Sequence, residues 1–120
     1  MDKAQALYTF WSGFGLPAYD EQVVPKNAAL PYITYETQTA SLNEPLMLSA
    51  SLWYSSESWS TVTAKANAIE AAIGGFAVVP VAGGKMLIHK GSPFTRRLGD
   101  PDDPKIKRII LSIQAEFLSA

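Results

Sequence analysis

The chain has 120 residues, of which 48% are hydrophobic and 18% charged, with a formal net charge of −1 and no cysteine. This length fits a single domain over 1–120, able to bury one core without covalent staples. The charge balance argues against a phosphate grip built on a basic excess, and the missing thiols exclude disulfides and thiolate metal sites.

The start, Met1-Asp2-Lys3-Ala4, has no basic n-region, and Thr9, Ser12, Gly13 and Gly15 interrupt the apolar stretch that follows. No signal peptide is expected. The spacing of Leu7, Phe10, Trp11 and Phe14 predicts a helix from Asp2 to about Ser12 with an apolar stripe. Asp2 suits its positive end, and Gly13, Gly15 and Pro17 stop it. Such a stripe packs on the chain's own core or docks on a neighbouring subunit, and spacing alone leaves both open.

Ala18 to Pro31 reads as an extended loop, punctuated by Pro25 and Pro31. Tyr32 to Thr39 is rich in β-branched and aromatic residues and is predicted as a strand. Ser41 to Pro45 reads as a turn, and Leu46 to Tyr54 as a second strand pairing back antiparallel. In that strand Leu46, Leu48, Ala50, Leu52 and Tyr54 share one face, while Met47, Ser49, Ser51 and Trp53 share the other.

A helix is predicted from about Trp59 to Ile73, with Val62, Ala66, Ile69 and Ile73 on its apolar face and Gly74-Gly75 as a left-handed stop. Phe76 to Val81 reads as a short strand, with Pro80 marking an edge or bulge. Gly83-Gly84 turns the chain into a strand over Lys85 to Lys90. Gly91 to Pro104 reads as a charged loop carrying Arg96, Arg97, Asp100, Asp102 and Asp103. A last strand covers about Lys105 to Leu118, with Lys107, Ile109, Leu111, Ile113, Ala115 and Phe117 on one face. The expected class is α+β: a twisted, mostly antiparallel sheet crossed by one helix, plus the N-terminal helix, in the order α-β-β-α-β-β-β.

Catalytic signals are sparse. His89 is the one histidine, so a His-rich metal site within one chain is not possible. Asp100-Pro101-Asp102-Asp103 lacks the ligand spacing of an EF-hand and reads as a solvated turn. Neither glycine pair belongs to a phosphate-binding loop. No cofactor and no enzymatic activity are expected. Tyr32, Tyr35, Trp53, Tyr54 and His89 are the residues that a small-molecule pocket would draw on. The longest weakly polar run, Gly74 to Gly84, is too short to span a bilayer, so a cytoplasmic chain off the membrane is expected.

The stretch Leu30-Pro31-Tyr32-Ile33-Thr34-Tyr35-Glu36 resembles the strand that follows a Pro-bearing loop in small siphophage tail terminators. The N-terminal helix, the strand ending in Trp53-Tyr54, the Ala-rich helix and the closing strand with Lys107-Arg108 follow in the same order. That resemblance implies a structural virion protein forming a homo-oligomeric, hexameric ring in the tail, assembled in the host cytoplasm. The ring would cap the tail tube, stop its polymerisation and meet a head-completion protein, with DNA passing through the lumen without specific binding. A head-closure or connector ring, or a small-molecule-binding α+β domain, is the alternative. On the ring reading Phe10, Trp11, Phe14, Arg96, Arg97, Asp100, Asp102 and Asp103 are expected to contact another subunit or the tube.

Overall fold

A computed structural model describes residues 2–38 and 45–119. Helix α1 (Lys3–Ser12) is followed by strands β1 (Ala18–Asp20), β2 (Tyr32–Tyr35) and β3 (Leu46–Ser55), and then by helix α2 (Ser60–Ile73). Strands β4 (Ala77–Val81), β5 (Gly84–Gly99) and β6 (Ile106–Ser119) complete the chain. The six strands form one sheet in the order β1-β2-β3-β6-β5-β4. Among the described residues only the β1–β2 pairing is parallel. The α+β class and the mostly antiparallel sheet are therefore as read from the sequence.

Helix α1 starts on a capping box. Asp2 Oδ1 accepts from the Gln5 N–H at 2.8 Å, and Gln5 Oε1 accepts from the Asp2 N–H at 2.9 Å. Two of the helix's unpaired amides are thereby satisfied. At its other end Gly15 has φ +81°, a conformation that a side chain would strain. Helix α2 buries the expected face, Val62, Ala66, Ile69 and Ile73. Gly74 ends it at φ +58° and ψ −130°, so φ is positive as expected but ψ lies outside the left-handed helical region.

Helix α2 packs across β3, β5 and β6. Helix α1 touches both edge strands, β1 and β4, so the sheet curls until one helix spans its two edges. This covers edges that would otherwise be open. The inner face of the curl is the core. In β6, Lys107, Ile109, Leu111, Ile113, Ala115 and Phe117 are all buried, the alternation expected of a strand with one face inward. Lys107 is admitted there because its Nζ donates to the Pro104 carbonyl and lies over the Trp59 ring.

Three sequence expectations are corrected. Ala18–Asp20 is a strand within the expected loop, too short at three residues to show a period of two and held by pairing with β2. The first predicted strand ends at Tyr35; beyond it the Glu36 N–H still donates to the Ser49 carbonyl, but the Ser49 N–H turns to the Glu36 carboxylate, so the regular ladder stops there. Residues 91–99 belong to β5 and are not loop. The strand continues past Pro93 through a bulge, in which residues 91–94 stand opposite Ser112 between the pairs Lys90–Ile113 and Thr95–Leu111. The remaining connection to β6 is the tight turn 100–105. Apart from Pro45, the turn expected over Ser41 to Pro45 lies outside the described residues, as does Thr39.

Candidate interaction surface

The aromatic residues of α1 divide by burial. Trp11 is 1% exposed and sits in the core beside Leu7, whereas Phe10 and Phe14 are half-buried. Ring centroids lie 4.8 Å apart for Phe10–Trp11 and 5.3 Å for Phe10–Phe14, both edge-to-face. Lys65 Nζ donates to the Phe14 carbonyl at 2.7 Å and fixes the exit of α1 to α2. Trp11 thus spends its surface within its own chain, and Phe10 and Phe14 are the two with surface left to offer.

Arg96 and Arg97 are neighbours in β5 and so point to opposite faces. Arg97 is paired with Ile109 on the inner face, and its guanidinium lies 4.9 Å from the Trp59 ring centre and 3.4 Å from Thr63 Oγ1. It lies against the start of the chain's own helix α2. Arg96 is paired with Ile110 on the outer face and is exposed. Asp100 Oδ1 accepts from the Asp102 N–H at 2.8 Å, and Asp103 Oδ1 from the Lys105 N–H at 3.0 Å. These side-chain turns fix the 100–105 connection, as the sequence reading of a solvated turn implies. Among the described residues the ion pairs are Lys90–Glu70 and Lys105–Glu57, so the mixed charges at 96–103 are not paired with one another.

The register of β3 on β6 brings together two residues that the sequence reading did not link. Trp53 is directly opposite Arg108, and both face outward. The Arg108 guanidinium stacks 4.4 Å from the Trp53 ring centre, and its Nε donates to Ser51 Oγ at 3.0 Å. Trp53 Nε1 in turn donates to Thr34 Oγ1 at 2.9 Å. The two flat side chains bury Ser51 and Thr34 on a face that would otherwise be wet. Desolvation pushes the Arg108 pKa down, the Glu21 carboxylate opposes that shift, and Arg96 adds to it. Beside this stack runs a groove of about 200 Å³ lined by Trp53, Leu98, Gly99, Asp100, Pro101, Ile106 and Arg108. Tyr32, opposite Trp53, extends the aromatic surface through an edge-to-face contact with Tyr19 at 5.6 Å.

The five residues proposed for a small-molecule pocket do not converge. Tyr35 and Tyr54 are buried on the inner face, while the strand alternation sends Tyr32, Trp53 and His89 outward. Burial raises the pKa of both inner phenols, and the Asp20 and Tyr8 charges raise that of Tyr35 further. His89 lies 5.9 Å from the Phe76 ring. Among the described residues no cluster of three or more His, Asp and Glu is placed to hold a metal ion. Nor is any helix among them long and apolar enough to cross a membrane.

No protein-family model and no curated protein matches the chain. Among solved structures, the chain is similar to one from the virion of a native gene transfer agent particle, with a TM-score of 0.73. The two are 18% identical, and the match covers 97% of this chain and 94% of the other. At that identity the likeness establishes a shared fold across the whole domain.

Proposed function

We propose that the protein is a structural component of a phage-like virion, a tail terminator whose ring caps the tail tube, stops its growth and presents a surface to the head. The observation that carries this reading is the fold shared, over nearly the full length of both chains, with a chain of a gene transfer agent virion. The order of elements in the sequence points the same way. The work is steric: one face of the ring seats on the last tube ring, and the other lacks the surface that a further tube subunit needs.

A closed ring needs two different complementary surfaces on each subunit. One is the Phe10 and Phe14 side of α1. The other is the free edge of β5, because β4 pairs only with Gly84–Ile88 and leaves His89–Gly99 without a strand partner on that side among the described residues. Arg96 and the Asp100, Asp102 and Asp103 turn lie at the far end of that edge. DNA passes through the lumen, where a chain of net charge −1 does not hold the phosphates.

The test is addition of the protein to polymerising tail-tube subunits. Growth that halts, with the protein bound at a tube end, is the expected result. Binding to head-completion proteins with no effect on tubes would instead place the ring in the neck.

A further inference from the structure

The outer face of the sheet carries a surface that the chain does not use for its own core. Trp53 and Arg108 are held flat on it before any partner arrives, by the Thr34 and Ser51 hydrogen bonds. Trp, Tyr and Arg are the residues enriched at binding hot spots, and side chains already fixed in place lose little freedom on binding. Arg108 is half-buried and donates through Nε; among the described residues its two terminal amino groups have no hydrogen-bond acceptor. Arg96, on the same face, makes no ion pair among those residues. Across the groove, Asp100 is exposed and fixed by its turn, and no arginine pairs with it among those residues. Leu98, 47% exposed, is paired with Arg108 and lines the same groove as Asp100.

We propose that this face pairs with the same face of a second copy about a two-fold axis. Opposite charges that share one groove without meeting inside a chain are complementary to that groove turned through a half-rotation. Asp100 of each copy then reaches the Arg108 fork of the other, and Leu98 of each lies on the other's Trp53. Such an isologous contact satisfies itself in a pair and cannot propagate. It is therefore a different pairing from the ring contact; both draw on the Asp100 turn, so a subunit makes one or the other, and the pairing of free chains stands without the tail reading.

The experiment is sedimentation velocity of the whole chain over the micromolar range, at low and at high salt. The expected result is a species of twice the 13.0 kDa chain mass that dissociates on dilution and weakens as salt screens the charges. Arg108→Glu and Asp100→Arg should each weaken pairing by tenfold or more, and the double variant should recover most of it. Arg108 also packs on Trp53, so Leu98→Asp, at an exposed position, supplies a variant that leaves the fold intact, with circular dichroism as the check. A monomer at every concentration overturns the proposal. So does any assembly whose mass and dilution profile these variants leave unchanged, and so does a double variant no tighter than the single ones.

Discussion

Replacing Trp11 by Ala tests whether the α1 stripe is core or contact. The side chain is 1% exposed and touches Phe10 and Phe14 through its ring. A buried Trp removes about 150–250 Å² from water, which at about 25 cal/mol per Å² is roughly 4–6 kcal/mol of transfer free energy. Measured truncations of buried Phe and Trp cluster at about 3–5 kcal/mol, and the Phe10 edge contact lies within that sum. A domain of this size has only about 5–15 kcal/mol to lose, so the variant should unfold at much lower urea with its m-value unchanged. Phe10→Ala and Phe14→Ala, at half-buried positions, should cost distinctly less stability and show their effect in assembly. Equilibrium urea unfolding followed by far-UV circular dichroism reads all three. A Trp11→Ala loss below about 1 kcal/mol, within the range of ordinary surface changes and small effects, would refute its assignment to the core.

Gly84→Ala should be costly in a different way. An added Cβ would stand 1.9 Å from the Leu118 carbonyl oxygen, so the β5–β6 pairing must shift at that end; a loss of about 1–3 kcal/mol by thermal or urea unfolding is expected. Asp2→Ala removes half of the capping box and should cost about 1 kcal/mol, read as faster amide exchange in the first turn of α1. Alkaline pH should destabilise the fold through Tyr35 and Tyr54. Their folded pKa values lie above 10.0, so the stability held by the neutral phenols is complete below the unfolded value and is lost as pH rises through the folded ones. Urea midpoints measured above pH 10 should fall less steeply in Tyr54→Phe than in the unsubstituted chain.

Much of this fold is legible in one sequence because burial is periodic. The alternation in Leu46–Ser55 and Ile106–Ser119 marks the inner face, and the spacing of Val62, Ala66, Ile69 and Ile73 marks the buried side of α2. What escapes is whatever depends on pairing between distant segments. Ala18–Asp20 has too few residues to carry a period, and only the neighbouring β2 makes it a strand. Gly91 to Pro104 reads as a charged loop, yet β5 runs on to Gly99 because a bulge takes up residues 91–94. The interaction surface is hidden for the same reason. Trp53 and Arg108 each fall on an outward face by alternation, but only the β3–β6 register stacks them. Arg96 and Arg97 read together as part of one charged loop, and strand geometry sends Arg97 back onto Trp59.

Growth of tail-tube polymers from the same virion, followed by electron microscopy as the protein is titrated in, tests the proposed role most directly. The expected result is that tube length falls with increasing protein and that stopped tubes carry added density at one end. Tubes of unchanged length with bare ends at every ratio would contradict it, whatever the protein's mass in solution.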